Sequence, residues 1–272
     1  MHGHKKKAVF FIHCLESYSR ERSVARGQIE VLDIGCGNGV NVSLPVAERG
    51  FKVTGIDPHG PSIEAARSWR ILPNIRFLKE NFSEHRAERL YDFVILSDVL
   101  EHVPDPELAI QAALRNLKPG GEVLISVPNG HGPFEIEQFL IRRGVLSPLL
   151  SLTRWVVSLG VRTKKTVRRG SVGPAPAGPP PSNEECTHVQ FFSLQGFERL
   201  LRTQGLVIEQ RVNGAWFGGD LSYFLFYFVP ILIPITLRVA DVLPPFLVSS
   251  WYFECQRSPA RQNSGEEEKT ST

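Results

Sequence analysis

None of the four cysteines, Cys14, Cys36, Cys186 and Cys255, has a partner at C-x-x-C spacing. Their scatter argues against a zinc site, predicts no bound metal, and fits a reducing compartment such as the cytoplasm. Charge of one sign is equally scarce. A formal net charge of +3, from 31 basic and 28 acidic residues, is too small to argue for nucleic acid as a partner. No apolar run reaches the roughly 20 residues of a membrane-spanning helix. The most hydrophobic stretch, Leu221–Leu237, is broken by Pro230 and Pro234. Lys5-Lys6-Lys7 precedes only the short apolar stretch Ala8–Leu15, which holds His13 and Cys14 and is followed by no small-residue cleavage site. It reads as a short amphipathic segment leading to the domain, not a signal peptide, with His2 and His4 in a flexible terminus. What remains, at 272 residues and 42% apolar content, is enough for one large domain with extensions or at most two small ones.

Against that background one stretch carries chemistry: Ile29–Val40, IEVLDIGCGNGV. Ile29–Ile34 reads as a buried strand running into the loop Gly35-Cys36-Gly37-Asn38-Gly39, which opens a helix. Glycines there permit backbone angles closed to other residues and let a ligand approach the main chain. The helix that follows favours an anionic ligand group. Cys36 serves as a small residue between glycines. The pattern is D-x-G-x-G-x-G with Asp33 at the strand end, not the dinucleotide G-x-G-x-x-G. Asp57 ends the next strand, Phe51–Ile56, about 20 residues on, where a ribose-binding carboxylate belongs. Two hydroxyl hydrogen bonds on one carboxylate suit a ribose diol.

Beyond the loop, strand and helix alternate. A helix falls within residues 40–49, starting near Leu44 so that Pro45 sits in its first turn. Ser62–Trp69 is a helix, Ile75–Leu78 a strand, and Tyr91–Leu96 a strand whose apolar run requires burial on both faces. Pro106–Leu117 is a helix stopped by Lys118-Pro119-Gly120-Gly121, and Glu122–Val127 a strand. That alternation predicts an α/β fold with a parallel, doubly wound sheet.

These segments resemble a known family. IEVLDIGCGNGV and VTGIDPH are similar to the first two motifs of class I S-adenosylmethionine-dependent methyltransferases, and YDFVILSDVLEHVPDP and LKPGGEVLISVPN to motifs after the family's fourth strand and around its fifth. The nearest branch is the small-molecule one that includes ubiquinone-pathway O-methyltransferases. The resemblance is strong over about residues 28–129 and looser over 186–258. It implies a Rossmann-like sheet, mostly parallel with a closing antiparallel strand, and S-adenosyl-L-methionine as cofactor. It places the methionine part against Gly35, Gly37 and Asp33, with Asp98 and Val99 nearby. The ribose goes to Asp57, and the adenine to Asn81 and Phe82. Asn81 stands where the family often has an acid; its amide carbonyl can still accept from the adenine amino group, the alternative being a polar loop residue. His102, in LEHVPDP, is the candidate catalytic base, because imidazole accepts a hydroxyl proton near neutral pH. Glu101 and His102 could instead hold the helix and loop together. His131 and His188 flank an insertion and read first as structural histidines.

The domain spans 28–258, after an extension at 1–27 and before a disordered tail at 259–272. It carries helical insertions at 130–186 and 215–248. Phe134–Arg143 and Pro148–Leu159 read as short helices, and basic residues crowd 162–169. Ser171–Ser182, rich in proline, is an exposed loop. The regular fold resumes at His188–Phe192, followed by a helix at Leu194–Thr203 and strands at Leu206–Arg211 and Trp251–Gln256. Leu221–Leu237 forms a hairpin or broken helix that either covers the substrate pocket or dips into a membrane surface. With 148–169 it suggests a lipid-linked acceptor at the cytoplasmic membrane face. Ordinary solvated charge explains the same basic residues. The function expected is O-methylation of a small-molecule or lipid-linked acceptor. The competing readings are a catalytically idle membrane-associated scaffold of this fold and a nicotinamide-dependent oxidoreductase.

Overall fold

The computed structural model describes residues 2–68, 72–86, 88–146, 188–216 and 232–258. Its centre is a seven-stranded sheet in the order β3-β2-β1-β4-β5-β7-β6. The strands are β1 (Glu30–Ile34), β2 (Lys52–Ile56), β3 (Ile75–Leu78), β4 (Tyr91–Ser97), β5 (Leu117–Pro128), β6 (Leu206–Asn213) and β7 (Ser250–Arg257). Strands β1 to β5 pair in parallel. β7 alone runs against its neighbours, inserted between β5 and β6. β4 shows why an unbroken apolar run is needed at the centre: Phe93, Val94, Ile95 and Leu96 are all fully buried, facing both layers of helices.

Those layers divide the core. On one face, Ala109, Ile110 and Ala113 of α4 (Pro106–Asn116) and Phe197 and Leu201 of α6 (Leu194–Thr203) pack with Val94, Leu96 and Trp251. On the other, α1 (His2–Glu21) and α2 (Ser43–Glu48) cover Phe93, Ile95 and Leu124. Among the described residues the other α-helices are α3 (Gly60–Ser68), α5 (Pro133–Arg142) and α7 (Leu232–Val242). The starts of α4 and α6 are capped as their sequences dictate. Asp105 accepts from Leu108 N–H at 3.1 Å ahead of Pro106, and Ser193 Oγ accepts from Gly196 N–H at 3.2 Å.

Two expectations change. Ala8–Leu15 is not a short lead-in but part of the 20-residue α1, and His2 and His4 lie within that helix. Phe11, Leu15 and Tyr18 recur at helical spacing and are buried, so residues of the extension form part of the core. β5 starts at Leu117, ahead of the glycines read as a stop. Leu117 pairs with Tyr91, a register shift follows, and Lys118 Nζ holds Asp92 at 2.9 Å. Residues 188–192, where the regular fold was expected to resume, form a loop: the Val189 and Gln190 amides donate to Glu101 O at 2.8 and 3.1 Å. The expected helix at Pro148–Leu159, the basic run 162–169, the proline-rich loop, residues 221–231 of the apolar stretch and the tail lie outside the described residues. No helix among the described residues is long and apolar enough to cross a membrane.

Beneath α1 lies a buried acid. Glu122 on β5 accepts from Gln256 Nε2 at 3.2 Å through Oε1, while Oε2 has no partner. Burial, then neighbouring Glu254, pushes its carboxyl up from 4.5 to about 7. The folded protein therefore keeps a proton that the unfolded chain gives up, and stability falls as pH rises from about 4.5 to about 7. Glu122→Gln is expected to remove most of that fall. Its melting temperature should exceed the wild type's at pH 8 and approach it at pH 5. An unchanged difference between the two pH values would refute the assignment.

Candidate cofactor and active site

The glycine loop is tied to the next strand by its own backbone. Gly35 and Cys36 N–H both donate to Ile56 O, at 2.8 and 3.1 Å. At Gly35 (φ +68°) a β-carbon would lie 2.6 Å from Val99 Cγ2, so glycine is required for Val99 to close over the loop. Gly37 (φ +54°) differs: nothing lies within 4 Å of where its β-carbon would be. Its left-handed conformation turns an open side of the backbone to solvent, leaving space for a ligand. Its N–H donates to Asp57 Oδ2 at 2.9 Å, and His59 N–H donates to Oδ1 at 2.8 Å. The acid at the end of β2 is thus oriented by the loop it faces, with lone pairs left on both oxygens.

Asp33 lies deeper. Ser43 Oγ at the start of α2 donates to Oδ2, and Oδ1, fully buried, has no partner. Burial pushes the carboxyl up to about 7, against the opposing pull of the Ser43 hydroxyl and Lys7. A buried acceptor without a donor is a place for a ligand's N–H. Asn81 does something more local than expected. Its Oδ1 accepts from Ser83 N–H and Oγ, both at 3.1 Å, closing its own turn, while Phe82 packs on the core.

Asp98 ends β4 at φ +54°, a conformation that costs a non-glycine residue roughly 1–3 kcal/mol. It is held by its N–H on Ser126 O at 3.0 Å and Oγ at 3.1 Å, by Ser126 Oγ on Oδ1 at 2.7 Å, and by an ion pair of Oδ2 with Lys7, among other contacts. Lys7 was not read from the sequence. It projects from α1 with its side chain almost wholly buried, and brings a positive charge among Asp33, Asp98 and Glu101. Its neighbour Lys6 binds Gly214 O at 3.0 Å and Asp241 at 2.6 Å, tying α1 to α7.

Next to Asp98 a second group of side chains assembles. Glu101 is buried, with Oε2 unpartnered, and burial and then Asp98 push its carboxyl well above the usual range. His102 Nε2 lies 3.9 Å from its Oε1, and the ring meets that of His188 edge-on, centroids 4.9 Å apart. Glu101, His102 and His188 offer donor atoms within 4.8 Å of one another, close enough to hold a metal ion; the sequence had predicted none. His188 Nδ1 in turn meets Glu135 Oε1 at 2.7 Å. His131, the other flanking histidine, donates its backbone N–H to Asn129 at 3.1 Å.

A model of the methyltransferase domain matches residues 14–211, well over half of the chain. The chain belongs to that family. The chain is 37% identical over 119 residues to the ubiquinone biosynthesis O-methyltransferase of Klebsiella pneumoniae, covering 42% of this chain and 49% of the relative. The chain thus spans about half the length of the curated relatives it matches. Among solved structures, a magnesium protoporphyrin IX methyltransferase from Synechocystis with bound S-adenosylmethionine aligns with a TM-score of 0.50 at 14% identity. That alignment covers 94% of this chain and 80% of the other. A methyltransferase from Clostridium acetobutylicum gives 0.51 at 11% identity, over 93% and 92%. At those identities the likeness is one of fold. Lys7 precedes the matched residues and β7 follows them, so the domain's sheet and site both draw on chain beyond the family model.

Proposed function

We propose that the protein is an S-adenosylmethionine-dependent O-methyltransferase acting on a small-molecule or lipid-linked acceptor. The observation that carries this reading is the open side of Gly37 beside an Asp57 carboxylate already oriented by that glycine's own N–H. Bound there, S-adenosylmethionine would supply an electrophilic methyl group. The chain's residues do the rest. Asp57 accepts the ribose hydroxyls, and the unpartnered Oδ1 of Asp33 and the backbone of Gly35 and Gly37 suit the amino-acid end. Lys7 answers a carboxylate there. Phe82 and the Asn81 turn line the adenine side, and Val99 closes over Gly35. His102, beyond Glu101, takes the acceptor's proton. Positioning of this kind supplies much of the rate in transfer between bound partners.

The lipid-linked acceptor draws support from the apolar surface near the site. Ile136 and Phe139 on α5 are 55% exposed, Phe246 67% and Val242 82%. Arg143, just after α5, lies over the Phe139 ring at 5.1 Å, and α5 and α7 also carry Arg142 and Arg238. Apolar groups flanked by arginine suit an anionic interface at the cytoplasmic membrane face. The test is transfer from methyl-labelled cofactor into a fractionated cell extract, with Asp57→Ala as control. Label in the organic phase supports the lipid-linked acceptor, and label in the aqueous phase alone supports a soluble one. Cofactor affinity should fall about 100-fold in Asp57→Ala, as loss of hydrogen bonds to a charged group worth about 3 kcal/mol implies. No label in either phase would favour the idle scaffold.

A further inference from the structure

His188 stands in the loop after the 130–186 insertion and Glu135 within it, near the start of α5, yet the two meet at 2.7 Å. Glu135 is itself 92% buried by virtue of its 8% exposure, so its carboxylate is not a surface group that happens to lie nearby. The ring it holds is flanked by His102 at 4.9 Å, Phe134 at 6.2 Å and Phe191 at 6.4 Å. The backbone beside it is fixed as well, through the Val189 and Gln190 amides on Glu101 O. An ionised carboxylate only accepts hydrogen bonds, so the contact requires the proton on Nδ1. A neutral imidazole with its proton there carries its lone pair on Nε2.

We propose that Glu135 is a positioning residue of the transfer site. It fixes a proton on His188 Nδ1, so that the ring in its neutral form offers the Nε2 lone pair beside His102. The inference deepens the methyltransferase reading and rests on it for its role, while the tautomer itself does not. Without Glu135 the ring would be free to carry its proton on either nitrogen, and only part of the population would present the lone pair. Glu135 therefore acts through His188, never on the acceptor directly.

Long-range nitrogen–proton correlation spectra of the imidazoles, with His188→Asn to assign the signals, read the tautomer. The wild-type protein with bound S-adenosylmethionine should show His188 as Nδ1–H. Glu135→Leu, which removes the acceptor, should shift the signals toward the Nε2–H form. Glu135→Gln, whose amide can donate or accept, should give a mixture and guards against misfolding of the leucine variant. In transfer assays Glu135→Leu should lower kcat about tenfold or more with cofactor affinity unchanged. Nε2–H in the wild type, or signals unmoved in both variants, would overturn the proposal. A wild type that shows the tautomer but transfers no methyl would instead sink the methyltransferase reading and leave the pair standing.

Discussion

A Gly37→Arg variant is expected to lose S-adenosylmethionine binding by at least about 1,000-fold, near 4 kcal/mol, while remaining folded. Two observations set this result. The position where a side chain would start is open, with nothing within 4 Å, so an arginine there fills ligand space and not core. The backbone is left-handed, φ +54°, which charges any L side chain about 1–2 kcal/mol, a loss a domain of this size survives. Gly35→Arg would be a poor substitute, because its side chain would collide with Val99 and confuse folding with binding. Calorimetric titration with the cofactor, alongside the melting temperature, separates the two effects. Unchanged affinity in a folded variant would mean that the cofactor does not use this loop.

The second large effect concerns α1. Phe11→Ala is expected to destabilise the protein by about 3–5 kcal/mol, since a fully buried aromatic ring is removed from a packed layer. Phe11 lies 6.5 Å from the Tyr252 ring on β7 and in the same cluster as Leu15, Phe51 and Phe93. A helix merely appended to the domain would tolerate the change within about 0.5 kcal/mol, as surface sites do. Denaturant unfolding followed by circular dichroism decides between the two. A loss under about 1 kcal/mol would return residues 1–27 to the status of an extension.

What the sequence disclosed follows from the range over which each feature is determined. The strands around the glycine loop were readable because burial on both faces writes an unbroken apolar run, as in Phe93–Leu96, and glycines mark its end. Asp33, Gly35, Gly37 and Asp57 were readable for the same reason: strand, loop and second acid lie close together in the chain. α1 had its helical spacing in plain sight at Phe11, Leu15 and Tyr18, but the lysines before them and His13 and Cys14 among them obscured it. Lys7 was not legible at all. A lysine is solvated until a partner is found, and its partner Asp98 is 91 residues away. Glu135 and His188, 53 residues apart, illustrate the same limit, since no local pattern distinguishes a paired buried carboxylate from an exposed one. Asn81 shows the converse: its turn with Ser83 is a two-residue matter, and the polar-loop reading of that residue was open to the sequence alone.

The placement of β7 between β5 and β6 bears on how the chain is made. During synthesis β6 emerges before the strand that must separate it from β5, so its native pairing partner is missing until Ser250–Arg257 follows. Until then any sheet formed by β1 to β5 has a bare β5 edge, with Val123, Leu124 and Ile125 lacking the partners Cys255, Glu254 and Phe253. An open apolar edge is a template for pairing with the wrong chain. Release of the last strand, not closure of the glycine loop, is therefore the step at which a nascent molecule stops being vulnerable to aggregation, and slow translation across the stretch between β6 and β7 would lengthen that exposure.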